Sequence, residues 1–333
     1  MPETVSKPSR YGRRIRYLGV FVIVLIALYT GGWFYLAHLI ETRTTAALAA
    51  LGTQGVEVNC ARPTARGYPF RIGLYCDQVA FTDAQSGVTA SAGAFRSAGQ
   101  IYDPMRLVAE LDGPAKASGP QFGAFALNWD MLRASVRLAS PLPSRVSFEG
   151  GALKATKGDG APLFAANSFE GHMRPNERDV DLAVRFDGLA VDPTLVEGRA
   201  LPALSGEGDI SVKDGVRLMV EDVKDLRGQR ATIRTLALSL GGTGAVSLAG
   251  TVAVDMDGLV DADLTLGLRD PDALSAALVT ALPEARSQIQ QGFAGLSLLG
   301  NQPSLPLRIV KGKASIGFIP LGKIPPLPQP PTQ

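Results

Sequence analysis

The run from Tyr17 to Ile40 contains no Asp, Glu, Lys or Arg, and the chain enters it through Lys7, Arg10, Arg13, Arg14 and Arg16. An α-helix rises 1.5 Å per residue, so about 20 apolar residues cross a hydrocarbon core roughly 30 Å thick. The run therefore reads as a membrane anchor. The basic cluster in front of it stays on the cytoplasmic side, which sends everything after Glu41 across the membrane. A cleaved signal peptide has an apolar stretch of only about 7–15 residues. The nearest cleavage-like site, Ala47-Leu48-Ala49, is separated from the run by the polar stretch Glu41–Thr45. Trp33, Tyr35 and His38 suit the far interface, where amphipathic rings sit at headgroup depth.

Five segments follow: a basic stub (1–16), the anchor (17–40), an Ala-rich helical linker (41–55) with Gly52 as its stop, a β domain (56–322) and a Pro-rich tail (323–333). The chain has 33 basic and 31 acidic residues, of which residues 1–16 hold five and one, leaving 28 against 30 in the remainder. That balance has no footprint for nucleic acid. The two cysteines, Cys60 and Cys76, lie on the translocated side. In an oxidising compartment they form a disulfide contributing about 3 kcal/mol by loop closure; the alternative is two unrelated thiols. His172 is the only other soft ligand beyond the anchor, so neither a metal nor a cofactor is expected.

From Val56 the period of the apolar residues becomes two. Phe70, Ile72, Leu74 and Cys76 share a parity, as do Phe125, Leu127, Trp129 and Met131, then Val180, Leu182, Val184 and Phe186. The pattern recurs in Leu236, Leu238 and Leu240, in Val246, Leu248, Val252, Val254 and Met256, in Leu264, Leu266 and Leu268, and in Leu305, Leu307 and Ile309. Such alternation marks strands with one apolar and one wetter face. Asp187-Gly188, Asp214-Gly215, Gly241-Gly242 and Asp257-Gly258 read as two-residue hairpin turns. The expected fold is mainly β: about 12 to 15 strands in a long, curled antiparallel meander, about 60–70 Å across if unclosed. Asp270-Pro271-Asp272 starts a helical segment over 271–292, either one kinked helix or two short ones broken at Pro283, which covers or plugs a sheet end. After Leu321 an extended, unpacked tail is expected.

No catalytic constellation can be assembled. His172 stands alone in Glu170–Arg174 and reads as a surface residue, and no Gly-x-Ser-x-Gly, Walker A or dinucleotide motif occurs. Asp179/Asp181 and Asp261/Asp263 fall on the polar parity of strands, so a solvated face explains them. The protein is not expected to be an enzyme. The apolar face itself remains, either as a closed core of a folded-over sheet or as an open trough for acyl chains. Its candidate lipid-facing residues are Phe125, Leu127, Trp129, Val184, Phe186, Leu236, Leu238, Leu248, Val252, Val254, Leu264 and Leu266.

Three stretches carry a resemblance: Gly67-Tyr68-Pro69-Phe70-Arg71 followed by Cys76, Tyr102-Asp103-Pro104 closing with Gly113-Pro114, and the ending Pro320-Leu321-Gly322. Together they resemble a domain-of-unknown-function family, number 2125, of alphaproteobacterial envelope proteins, from the apolar run to Gly322. The resemblance implies a bacterial inner-membrane protein, single-pass, with its bulk in the periplasm; it brings no catalytic residue. More loosely, an N-terminal anchor before a one-face-apolar meander is similar to AsmA-like and TamB-like proteins, which implies membrane lipid as the partner. The expected function is to bind or shield lipid in envelope homeostasis. The alternative is a scaffolding module with a closed core that engages an envelope protein. Arg62, Arg66 and Arg71 either contact lipid phosphate, or are solvated, or are paired to Asp77 and Asp83.

Overall fold

The computed structural model describes residues 10–52, 55–223, 225–297 and 300–328. Lys7 and the rest of 1–9, and residues 329–333 of the expected tail, lie outside them. The apolar run and the linker form one uninterrupted helix, α1 (Arg10–Gly52), long and apolar enough to cross a membrane. Residues 13–29 are exposed along their whole length, whereas Trp33 and Ala37 are buried against the β domain.

The first strands come in collinear pairs: β1 (Val56–Ala61) with β2 (Thr64–Arg66), β3 (Arg71–Cys76) with β4 (Gln78–Asp83), and β5 (Val88–Ala92) with β6 (Phe95–Gln100). Next come β7 (Asp103–Leu111) with β8 (Ala115–Gly119) and β9 (Gly123–Asn128) with β10 (Met131–Arg137). Unbroken passes follow in β11 (Arg145–Lys157), β12 (Pro162–Asn176), β13 (Asp179–Val191) and β14 (Leu204–Val212). A short helix, α2 (Gly215–Val220), precedes β15 (Arg230–Leu240), β16 (Ala245–Val254) and β17 (Val260–Arg269). Helices α3 (Pro271–Ala281) and α4 (Arg286–Ser297) lead to β18 (Ser304–Val310), β19 (Lys313–Ile316) and β20 (Ile319–Lys323). Joined end to end, the twenty strands of one sheet make fifteen antiparallel passes among the described residues. Each pass pairs with the one before it, as expected of a meander, and the sheet remains open between β1/β2 at one edge and β20 at the other.

The paired strands break along one line. Arg62-Pro63, Asp77, Gly93-Ala94, Asp112–Pro114 and Trp129-Asp130 lie side by side, and backbone bonds cross the line from Asp77 N to Ala61 O (2.9 Å), Gly93 N to Asp112 O (3.0 Å) and Asp130 N to Gly151 O (3.1 Å). The line continues as an unpaired position in β11 at Ala152 (φ 52°) and in β12 at Asn167, with the register unchanged on either side, and as an extra residue in β13, against β14, at Gly188 (φ 63°). A bulged strand bends and twists more strongly. The sheet is thus creased: β2, β3, β6, β7 and β10 extend from the first half of β11, and β1, β4, β5, β8 and β9 from its second half.

The crease accounts for two departures from the sequence pattern. Asp187-Gly188 is a bulge inside β13, not a turn. Met131 does not share the face of Leu127 and Trp129, because the break at Asp130 inverts the parity and puts Leu132 there instead, opposite Gly150. Asp214-Gly215 opens α2 rather than a hairpin, while Gly241-Gly242 and Asp257-Gly258 do lie in hairpin loops, within 241–244 and 255–259. The helical segment resolves into two helices and runs on to Ser297. Asp270 Oδ1 accepts from Ala273 N at 3.1 Å with Pro271 at the first position, as expected of a cap. Helix α3 closes the end of the β15–β16 hairpin, where a Cβ on Gly244 would meet Leu274 N at 2.7 Å. The tail is not unpacked at its start. Strand β20 reaches Lys323, and Leu327 N donates to Gly258 O (2.8 Å) while Leu327 O accepts from Arg227 Nη2 (2.9 Å).

Candidate functional site

Register places the large residues of successive passes in rows. Phe148, Gly171, Val184, Gly208, Leu236, Leu248, Leu266 and Leu305 stand opposite one another from β11 to β18. The next row holds Gly150, Phe169, Phe186, Gly206, Leu238, Val246 and Leu268. Aromatic rings alternate with glycines for a steric reason. A Cβ on Gly171 would come within 2.2 Å of the Phe148 ring, one on Gly150 within 2.4 Å of Phe169, and one on Gly206 within 2.6 Å of Phe186. The rings lie down across bare backbone, as aromatic residues do over glycines in sheets, and the result is a flat apolar floor.

This floor is open where those rows begin. Val184 is 53% exposed, Phe148 44% and Leu236 42%. The chain as a whole exposes 21802 Å², against roughly 13,000 Å² for a compact protein of its size. Part of the excess belongs to α1; the rest fits a sheet whose apolar side is not sealed by a second layer. Of the other candidate residues, Phe125, Leu127, Trp129, Phe186, Leu238, Leu248, Val252, Val254 and Leu266 are half-buried. Leu264 is not lipid-facing: it is buried, because β16 and β17 close tightly there, a Cβ on Gly250 falling 2.9 Å from Leu264 Cα. Trp129 is committed to the crease, its indole N–H donating to Leu111 O (2.7 Å) with Gly113 beneath the ring.

The opposite face is polar and cross-linked. Arg133 bridges Glu110 (2.9 Å) and Glu149 (3.5 Å), and Arg185 bridges Glu207 (3.0 Å) and Glu170 (3.9 Å). Asp181 departs from the expected solvated face. It is 5% exposed and accepts from Ser211 Oγ (2.9 Å), Arg234 Nη1 (3.1 Å) and Arg174 Nη2 (3.1 Å). An extra residue in β15 next to Thr235 turns Arg234 back toward it. Burial pushes this carboxyl up, but the hydrogen bonds from Ser211, Arg234 and Arg174 outweigh it and hold the group below its ordinary range. Sequence pattern could not reveal this hub, since Arg234 lies 53 positions away. A depression of about 650 Å³ on this side is walled by Arg185, Asp187, Ser205 and Glu207, whose charges are already paired or hydrogen-bonded to one another and to Asn167. His172 is exposed beside Ser147 Oγ (2.9 Å), and among the described residues no cluster of three His, Cys, Asp or Glu could hold a metal ion.

The motif residues gather where α1 meets the sheet and along the crease. Cys60 and Cys76 are bonded, with Cα atoms 5.2 Å apart, beside the break at Asp77. Gly67 (φ 118°) opens the β2–β3 turn, where a Cβ would sit 2.8 Å from Arg71 O. Tyr68, Pro69 and Phe70 form its tip, and Trp33 Nε1 donates to Arg71 O at 3.0 Å. Tyr102 is exposed in the adjoining turn, Asp103 accepts from Arg137 Nη2 (3.2 Å), Pro104 is exposed, and Gly113-Pro114 interrupts β7 and β8 at the crease. Pro320, Leu321 and Gly322 lie exposed in β20, the far edge strand. Arg62 is paired with Asp77, Arg66 stacks over Tyr75 (5.3 Å), and Arg71 has no ion-pair partner among the described residues.

No curated protein matches the chain. A family described as an uncharacterized protein conserved in bacteria, DUF2125, matches residues 33–325, which takes in the Trp33 contact, the crease, the whole floor and β20. With its three motifs placed on one creased meander, the chain belongs to the DUF2125 family.

Proposed function

We propose that the chain is a non-enzymatic, inner-membrane-anchored protein of the bacterial envelope, with α1 spanning the bilayer, the sheet in the periplasm, and lipid acyl chains held on the apolar floor. The observation that carries this reading is the floor itself: Phe148, Val184 and Leu236 stand exposed in register over glycine-flattened backbone. Each methylene removed from water there is worth about 0.8 kcal/mol, so a few carbons of contact suffice for retention. The polar ladder on the other face keeps that side in water. Benzoylphenylalanine placed at Val184 in the full chain, then photolysed in living cells, tests it. An adduct with the mass of a phospholipid at Val184 and none at Thr232, on the polar face, is expected. Adducts with protein alone, or none at all, would refute lipid binding.

A second reading has its own observation. β20 is an edge strand whose Ile319 and Leu321 are exposed, as is Phe318 in the turn before it, and such an edge accepts another strand. A scaffolding role would lose its partner on Leu321→Lys while phospholipid adducts at Val184 persisted. Because Leu327 is tied to Gly258 and Arg227, deletion of 323–333 would also disturb the fold and is the poorer test.

A further inference from the structure

The tip of the β2–β3 turn grips α1 at an unexpected level. The Tyr29 hydroxyl donates to Pro69 O, Thr30 Oγ1 meets the Tyr68 hydroxyl at 2.8 Å, and the Trp33 and Tyr68 rings contact edge-on at 5.5 Å. At 1.5 Å per residue, Tyr29 lies about 20 Å and Trp33 about 25 Å beyond Arg16, the last charge before the apolar run. A hydrocarbon core is roughly 30 Å thick. A bilayer entered just past Arg16 therefore extends about 5–10 Å beyond the level at which the tip holds the helix. Snorkelling of Arg16 recovers a few ångströms, and helix tilt takes them away again.

The side chains at this end of the sheet suit that depth. Phe70 is 68% exposed and Tyr102 74% exposed, and their turns are joined by the bond from Ile101 N to Phe70 O (3.1 Å). Met105 and Leu138, also exposed, continue the rim through the bond from Leu138 N to Met105 O (2.7 Å). Arg71 and Arg106 flank it, both exposed and without an ion-pair partner among the described residues, and guanidinium groups bind phosphate in a two-pronged fashion. Aromatic rings at the carbonyl level with cations at the phosphates is the composition of a membrane–water interface.

We infer that the rim formed by Tyr68, Phe70 and Tyr102 is itself embedded in the outer half of the membrane that α1 spans, so that the sheet stands on the bilayer rather than hanging from a tether. This rests on the reading of α1 as a membrane span. It also deepens the lipid proposal, because Ile72, Gly99, Leu107, Val136 and Val146 stand in one register row that leads from the rim to the floor. A chain leaving the bilayer at the rim would meet apolar surface throughout.

The test uses the full chain in phosphatidylcholine–phosphatidylglycerol vesicles, with a nitroxide on a single introduced cysteine at Tyr102, Val22 or Phe318. Collision with oxygen against a water-soluble nickel chelate reports depth. Val22 and Tyr102 are expected in the lipid phase, and Phe318 in water. Val22 in lipid with Tyr102 as accessible to nickel as Phe318 would overturn the embedded rim while leaving the anchor intact. Val22 in water would overturn the anchor and the rim together. Tyr102 and Phe318 are both largely exposed, so neither label disturbs packing.

Discussion

Val184→Asp separates the proposed lipid binding from folding. Val184 stands opposite Gly208, with Leu236 on the far side of that glycine; a Cβ on Gly208 would lie 3.2 Å from Val184 Cγ2 and 3.5 Å from Leu236 Cδ1, so the two side chains close over it. At 53% exposure the native side chain contributes little to stability, and a carboxylate there remains hydrated in the empty protein. The expected change in folding free energy is about 1 kcal/mol or less. An acyl chain on the floor would bury that carboxylate, and insertion scales put an acidic group in hydrocarbon at about 3 kcal/mol. Lipid retention should fall about 100-fold, since each 1.4 kcal/mol is a factor of ten. The assay adds a photoreactive fluorescent phospholipid to the detergent-solubilised full chain and measures cross-linking yield and thermal unfolding on the same sample. Thr232→Asp, on the polar face, is the control. Equal yields from Val184→Asp, Thr232→Asp and wild type would refute the floor as the binding surface, and a loss of yield matched by a collapse of the melting temperature would refute the separation of binding from folding at Val184.

Asp181→Ala removes charge-assisted hydrogen bonds worth about 1.5–3 kcal/mol apiece, but the cations it strands are partly hydrated, so a net loss of about 2 kcal/mol is expected; amide exchange in β12–β14 should speed about 30-fold. Because the Asp181 carboxyl is held below its ordinary range, its contribution is present above that range and is lost as pH falls through the folded value; acid unfolding of Asp181→Asn should therefore be shallower than that of wild type. Gly250→Ala puts a Cβ 2.1 Å from Asp263 O at φ 140° and should cost about 3 kcal/mol or more, whereas Gly151→Ala, whose nearest neighbour is Asn167 O at 3.9 Å, should cost less than about 1 kcal/mol; paired denaturation curves decide. Cys60→Ser with Cys76→Ser opens a loop of 16 positions, and about 3 kcal/mol should be lost locally at the β1–β4 edge, read by proteolysis of the folded chain.

Part of the site is legible in the amino-acid sequence. Alternation in 180–186 and 246–254 marks the apolar parity, and the register confirms that Val184, Leu236 and Leu248 share a row. The glycines are harder to read. Gly150, Gly171 and Gly206 look like punctuation in a chain with 37 of them, yet they sit inside strands because aromatic rings from neighbouring strands lie over them. Asp187-Gly188 has the composition of a hairpin turn and is a bulge, since the same positive φ serves both. Leu264 has the parity of an exposed floor residue and is enclosed by the close approach of β16 to β17, which no pattern along one strand records.

What the chain determined by itself was local. Uninterrupted apolarity over 17–40 makes one helix whatever lies beyond it, alternation makes strands, and Asp270-Pro271 starts α3 with its own side chain as the cap. What only the tertiary structure decided depends on partners distant in sequence. The crease exists because breaks in five successive passes fall side by side with unpaired positions in β11 and β12 and a bulge in β13. It is a property of register, and register is set by the sum of all cross-strand contacts. The level at which Pro69 and Tyr68 hold Tyr29 and Thr30 is likewise a meeting of residues about 40 positions apart, and that single docking height determines how deep the sheet stands relative to the helix.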